Sequence, residues 1–368
     1  MLMDPCELSP SYVRAISPYQ GGKPISELAR EMGLEESSII KLASNENPGG
    51  LSPLARRAIE AGLNELTRYP DGNGFELKQG LMRRYKVAEQ QIVLGNGSND
   101  VLELVARAFL HPGTSAVMSQ HAFVVYHLAT QVAGATEIEV PARDYGHDLT
   151  AMAGAVREDT RVVWIANPNN PTGTFVAAAE LEAFLHRIPS RVVVVLDQAY
   201  NEYLPDAVQA DTVRWLARFP NIVLTRTFSK AYGLAGLRVG FALAHPDVAD
   251  LMNRVRQPFN VSSVAQAAAL GALGDSEFVR RSVELNARGM KQLTDGFKQL
   301  GRSYIPSFGN FVSFHAGAAG QVYQRLLKQG VIVRPIGVYG LPEHLRVTIG
   351  LEHENDRFLR ALPAALHA

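Results

Sequence analysis

The stretch TRTFSKAYGLAGLRVG, Thr225 to Gly240, holds a single lysine, Lys230, between an apolar run and a segment with three glycines. An amine is a nucleophile only when unprotonated. The ordinary lysine pKa of ~10.4 must therefore fall, through desolvation or neighbouring cations, before Lys230 can condense with an aldehyde. Eight residues on, Arg238 offers a permanent charge that can hold a phosphate bidentately. Asp197 follows the apolar run VVVVL. A carboxylate ending a buried strand needs a partner, because burying it unpaired is costly. That partner is a cationic ring nitrogen, an arginine or a metal, unless Asp197 simply caps a helix. The ten histidines are scattered and no H-E-x-x-H motif occurs, so no metal site is expected.

Two further motifs carry polar groups at matching places. In GNGSND (95–100), Gly97, Ser98 and Asn99 form a glycine turn into a helix start. Free backbone N–H groups and the positive dipole end there suit a phosphate; an ordinary capped turn is the plainer alternative. The segment is no dinucleotide fingerprint, since Asp100 stands where a glycine would be needed. In NPNNPTG (167–173), the amide of Asn167 could donate to a ring oxygen or a substrate carboxylate. A phosphate cradle, a carboxylate for a ring nitrogen, an asparagine, an imine-forming lysine and a phosphate arginine are together what a pyridoxal-phosphate enzyme supplies. Opposite charges ~4 Å apart gain ~4 kcal/mol at an effective dielectric of ~20, before desolvation, which suffices to keep a pyridine nitrogen protonated beside Asp197.

These residues must be brought together by the elements that carry them. Short β-branched runs alternate with helical patterns. They are QIVLG (91–95), SAVMSQ (115–120), RVVWIA (161–166), RVVVVL (191–196), NIVLTRTF (221–228) and RVGFALA (238–244). Such runs read as strands buried on both faces and joined by helices, a parallel α/β sheet. Ligands bind beyond the carboxyl ends of such strands. Ser98, Asn99, Asn167, Asp197, Tyr200, Ser229 and Lys230 all follow strand ends, so one site can collect them. Ser52 and Pro53 open a predicted helix over 52–66, as N-cap and first-turn residue. The C-terminal part mixes long helices with the strands NFVSFHA, GVIVRPI and HLRVTIG. The expected organisation is a large domain over 46–255 and a small α+β domain from 1–45 and 256–368.

Length and composition agree. The 368 residues suit two domains, and 46% hydrophobic with 20% charged residues fits a globular chain. The formal net charge is +0 and no polybasic run occurs, so nucleic acid is not an expected partner. Cys6 is the one cysteine, which excludes an internal disulfide and points to a reducing compartment. The first residues lack the pattern of a signal peptide, and no run of ~18 apolar residues occurs. A cytoplasmic location and no membrane contact are expected.

TFSKAYGLAGLRVG resembles the lysine motif of the fold-type I pyridoxal-phosphate aminotransferases, and NPNNPTG and DQAYNEY are similar to that family's asparagine and Asp-x-x-Tyr motifs. Gln198 departs from the usual glutamate. PYQGGKP, LASNENPGG, RYPDG and IVRPIGVYGLPEHLRVTIG further resemble the histidinol-phosphate aminotransferases within it. The resemblance implies a large domain with a mainly parallel seven-stranded sheet flanked by helices, plus a smaller α+β domain. It implies pyridoxal 5'-phosphate as cofactor, with Lys230 forming the internal aldimine and carrying the proton. Asp197 would meet the ring nitrogen, and Asn167 and Tyr200 the ring hydroxyl. Gly97, Ser98, Asn99, Thr227, Ser229 and Arg238 would surround the phosphate. Phe123 would stack on the ring. Tyr69 would reach the phosphate of a second subunit, making a homodimer. Arg346, Arg334, Tyr19 and Asn45 would contact substrate. The implied reaction is ping-pong transamination between L-histidinol phosphate or imidazole-acetol phosphate and glutamate or 2-oxoglutarate, in histidine biosynthesis. Aromatic amino acid transamination and threonine-phosphate decarboxylation are the alternatives on the same scaffold.

Overall fold

The computed structural model describes residues 4–367. Strand β1 (Ile40–Lys41) comes first, followed by β2 (Ile92–Gly95), β3 (Ser115–Ser119), β4 (Thr136–Val140), β5 (Thr160–Ala166), β6 (Val193–Asp197), β7 (Ile222–Thr227) and β8 (Gly240–Ala244). β2 to β8 form one seven-stranded sheet in the order β2-β8-β7-β6-β5-β3-β4. The pairs β3/β4, β3/β5, β5/β6 and β6/β7 are parallel, whereas β8 is antiparallel to both β2 and β7. β5, β6 and β7 are almost wholly buried, as their unbroken apolar runs require when helices cover both faces. Two apolar clusters, one on each face, form the core.

β4 was not among the expected runs. Its sequence TEIEV alternates because it is the sheet edge: Ile138 packs on the core, Glu137 meets His127 at 3.1 Å and Glu139 is exposed. Charge on an edge strand also blocks pairing with another chain.

β9 (Tyr304–Ile305), β10 (Phe311–His315), β12 (Arg334–Pro335) and β13 (His344–Thr348) make a four-stranded sheet, while β11 (Val331–Ile332) pairs with β1. The helices Ser276–Gln299, Ala319–Lys328 and Glu352–His367 share a core with that sheet, together with Ile40 and Leu42. The helix Ser263–Leu273 does not join them. Its alanines Ala265, Ala268, Ala269 and Ala272 are buried in the core of the large sheet with Leu77, Leu81 and Leu94. Small side chains let this helix pack closely on the helix Pro53–Gly62. The helix Pro53–Gly62 itself begins as expected, with Ser52 Oγ accepting from Ala55 N–H at 3.2 Å and Pro53 in its first turn. No described helix is long and apolar enough to cross a membrane.

Candidate active site

The carboxyl ends of the central strands are in step: Ala166 is paired with Asp197, and Asp197 with Thr225. β8 runs the other way, so its first residue, Gly240, pairs with both Gly95 and Thr227. The residues just before β8 therefore arrive where the parallel strands leave off. This brings Arg238 to the same cleft as Lys230. The cleft has a volume of about 310 Å³ and is lined from both sheets.

One end of the cleft is an anion cradle. The helix Ser98–Phe109 starts at Gly97, with φ +79° and no side-chain cap, so its first N–H groups are free for an acceptor. A Cβ at Gly97 would collide with the Arg238 guanidinium. Arg238 Nη1 donates to Ser229 Oγ at 3.2 Å and to Ala235 O at 3.0 Å, and Thr227 Oγ1 bonds Ser229 Oγ at 3.0 Å. Donors from one strand end, one helix start and one arginine thus converge with no protein carboxylate among them.

Asp197, at the end of β6, is buried. Burial pushes its carboxyl pKa up, against the hydrogen bond from Tyr126, whose hydroxyl donates to Oδ2 at 2.8 Å. Tyr126 is stacked on Trp164 at 5.2 Å and meets Phe123 edge-on at 5.8 Å. Burial outweighs the lowering effect of the Lys230 charge, so a protonated ring nitrogen beside this carboxylate would favour its charged form.

Lys230 Nζ donates to Ser44 O at 3.2 Å, 5.8 Å from the centre of the Tyr200 ring. Its pKa is lowered to about 7, first by desolvation and then by the Arg346 and Arg238 charges. Tyr200, pushed up to about 12 by burial, accepts from Asn45 Nδ2 at 2.9 Å. Asn45 Oδ1 in turn accepts from Thr348 Oγ1 at 3.1 Å, so its side chain holds Tyr200 while it lines the cleft.

Asn167 does not present its amide to the cleft. Its Nδ2 donates to Val176 O at 2.9 Å and its Oδ1 accepts from Val176 N–H at 2.8 Å, so the side chain closes a loop. The asparagine of this motif that lines the cleft is Asn170, whose Oδ1 accepts from Arg346 Nη1 at 2.5 Å. Sequence reasoning missed Asn170 because both asparagines precede a proline in NPNNPTG. It missed Tyr126 too, although three residues in a helical segment put it on the side of Phe123.

The opposite wall belongs to the small sheet. Arg346 on β13 and Arg334 on β12 are directly opposite each other. Arg346 is buried; Nη2 donates to Ala43 O at 2.8 Å and Nε has no partner. Arg334 donates to Gln20 O at 2.7 Å, with its guanidinium 5.8 Å from the Tyr19 ring centre. Neither arginine forms a salt bridge with a described carboxylate. Tyr69 lies outside this cleft. It is 83% exposed and stacks on Phe259 at 4.8 Å.

Known proteins share this architecture. The profile of the family described as Aminotransferase class I and II matches residues 37–362. The chain is 62% identical over 365 residues to "Histidinol-phosphate aminotransferase 2" of Nitrosospira multiformis, covering 99% of this chain and 93% of that one. It is 64% identical over 356 residues to "Histidinol-phosphate aminotransferase 1" of Dechloromonas aromatica, covering 97% and 98%. The crystal structure of histidinol-phosphate aminotransferase from Sinorhizobium meliloti in complex with pyridoxal-5'-phosphate superposes with a TM-score of 0.90 at 29% identity, covering 97% of this chain and 96% of that one. With the cradle, the amine and the two arginines in one cleft of a fold-type I scaffold, the chain belongs to the class I and II aminotransferases and, within them, to the histidinol-phosphate aminotransferase family.

Proposed function

We propose that this enzyme takes the amino group of glutamate and passes it to imidazole-acetol phosphate, giving 2-oxoglutarate and L-histidinol phosphate, with pyridoxal 5'-phosphate in the cradle. The observation that carries this reading is the Arg334–Arg346 pair, two permanent cations without carboxylate partners facing Lys230 across the cleft. One substrate pair carries carboxylates and the other a phosphate. A single guanidinium geometry serves both, because it forks onto either group.

Bound pyridoxal phosphate supplies the electron sink that makes the substrate Cα–H acidic. The protein supplies the rest. The Ser98–Asn99 backbone, Thr227, Ser229 and Arg238 hold the phosphate group. Asp197, fixed by Tyr126, sets the charge of the ring nitrogen. Tyr200 and Asn170, which line the cleft, would meet the ring oxygen, Asn170 in place of the expected Asn167. Phe123 would cover a ring face. Lys230 would hold the cofactor's aldehyde carbon and would be the base that moves the proton from Cα. Its lowered pKa leaves about half of it unprotonated at pH 7, where an ordinary lysine is almost wholly charged. Arg346 binds the amino-acid carboxylate through its free Nε edge, and Arg334 with Tyr19 meets the phosphate at the mouth. Tyr69 completes the cradle of a second subunit.

Lys230→Ala abolishes both the visible absorbance of the lysine-bound cofactor and multiple turnover; surviving turnover would refute the assignment. A panel of histidinol phosphate, phenylalanine and threonine phosphate then settles the substrate. The highest kcat/KM belongs to histidinol phosphate, and preference for either other compound selects the corresponding alternative.

A further inference from the structure

The cradle and the loop bearing Tyr69 are far apart in sequence but joined by side chains that the site does not otherwise use. Asp100, in the first turn of the cradle helix, accepts at Oδ2 from Asn96 N–H at 2.8 Å and from Asn260 Nδ2 at 2.7 Å. Asn260 Nδ2 also donates to Leu94 O at 3.0 Å, and Asn96 Nδ2 donates to Asn260 O at 2.9 Å. Asn260 Oδ1 accepts from Arg256 Nη1 at 2.8 Å, while Arg256 Nη2 donates to Gly72 O at 2.9 Å. Gly72 lies three residues after Tyr69. Between the two tie residues stands Phe259, at φ +57°, whose ring stacks on Tyr69. A Cβ on Gly72 would meet that ring at 3.3 Å. A bulky residue at positive φ is costly and persists only when its surroundings hold it there.

We propose that Arg256 and Asn260 are positioning residues that couple each subunit's cradle to the Tyr69 loop that the same subunit presents to its partner. The inference rests on the reading above, in which pyridoxal phosphate occupies the cradle and Tyr69 reaches the second subunit. Filling one cradle fixes the Asn96–Asp100 turn, the turn fixes Asn260 and Arg256, and these fix the Tyr69 loop that serves the other cradle. The two cofactor sites are then linked through hydrogen bonds lying wholly within one chain.

A double-mutant cycle on the full chain, stripped of cofactor, tests this, because only coupled residues give non-additive effects. Dissociation constants are measured for pyridoxal phosphate and, as the probe lacking the anion, for pyridoxal. The expected result is that Asn260→Ala and Tyr69→Phe each weaken pyridoxal phosphate binding about tenfold. The double variant is also about tenfold weaker, not a hundredfold, and pyridoxal binding shifts less than about twofold. Arg256→Gln, which reaches the tie from the loop side, repeats the cycle where Asn260→Ala does not fold. Additive losses with an effective Tyr69→Phe overturn the coupling and leave the dimer reading standing. A Tyr69→Phe variant with unchanged binding overturns the Tyr69 role and the coupling together. Equal losses for pyridoxal show that the tie only supports the fold, and overturn the proposal.

Discussion

A lysine with a pKa of about 7 behaves unlike an ordinary one in a way that can be measured. At pH 8 roughly 90% of Lys230 is free amine, against ~0.4% for an unperturbed lysine. Capture of pyridoxal phosphate by the stripped enzyme is expected to fall about tenfold per pH unit below ~7 and to level off above it. Stopped-flow absorbance across pH 5 to 9 reads this profile; a rate still climbing about tenfold between pH 8 and pH 9 means that the amine is not desolvated. The meeting of Lys230, Asp197 and Arg238 in one cleft could be read from sequence because each breaks an apolar run or glycine turn with a charge. The choice between Asn167 and Asn170 could not, since it depends on which amide the Val176 backbone consumes. Tyr126 was equally hidden, because a tyrosine in a helix is ordinary until a buried carboxylate lies 2.8 Å from its hydroxyl.

At the scale of elements, one reversed strand sets the site. Because β8 is antiparallel to its neighbours, the segment entering it starts at the cradle, and Arg238 closes against Gly97. Gly97 has no room for a side chain, and its φ of +79° with ψ of 166° is a conformation for glycine. Gly97→Ala is expected to cost ~1–3 kcal/mol in backbone strain and to displace Arg238, weakening pyridoxal phosphate binding at least about tenfold. Absorbance titration checks the affinity and thermal unfolding the stability; an unchanged affinity would remove Gly97 from the cradle. The buried strands were legible from their β-branched runs, and the edge strand β4 was not, because alternation there serves solvent on one side. The helix Ser263–Leu273 was legible as a helix but not as a neighbour of the large sheet. Its small and apolar residues run round the whole helix and give no strong face, so only packing decides what it touches.

At the scale of the molecule, the proposed reach of Tyr69 into a second subunit's site has a direct test in a dimer. A subunit carrying Tyr69→Ala and one carrying Lys230→Ala are each defective, yet a hybrid dimer holds one site with both native residues. Equimolar mixing after reversible dissociation is expected to restore about a quarter of wild-type turnover, since half the dimers are hybrid and each has one good site. No recovery would mean that Tyr69 acts within its own subunit or nowhere. The pairing of β1 with β11 has a further consequence. It ties Ile40 and Lys41 to Val331 and Ile332, and nearby Ala43 O accepts from Arg346 while Ser44 O accepts from Lys230. A ribosome delivers Lys230 long before Arg346, at ~5–20 residues per second, so the β1 segment waits through most of translation for its strand partner. The wall that dries the amine is therefore laid last, and a nascent chain carries a lysine of ordinary basicity that becomes reactive only once the two ends of the polypeptide have met.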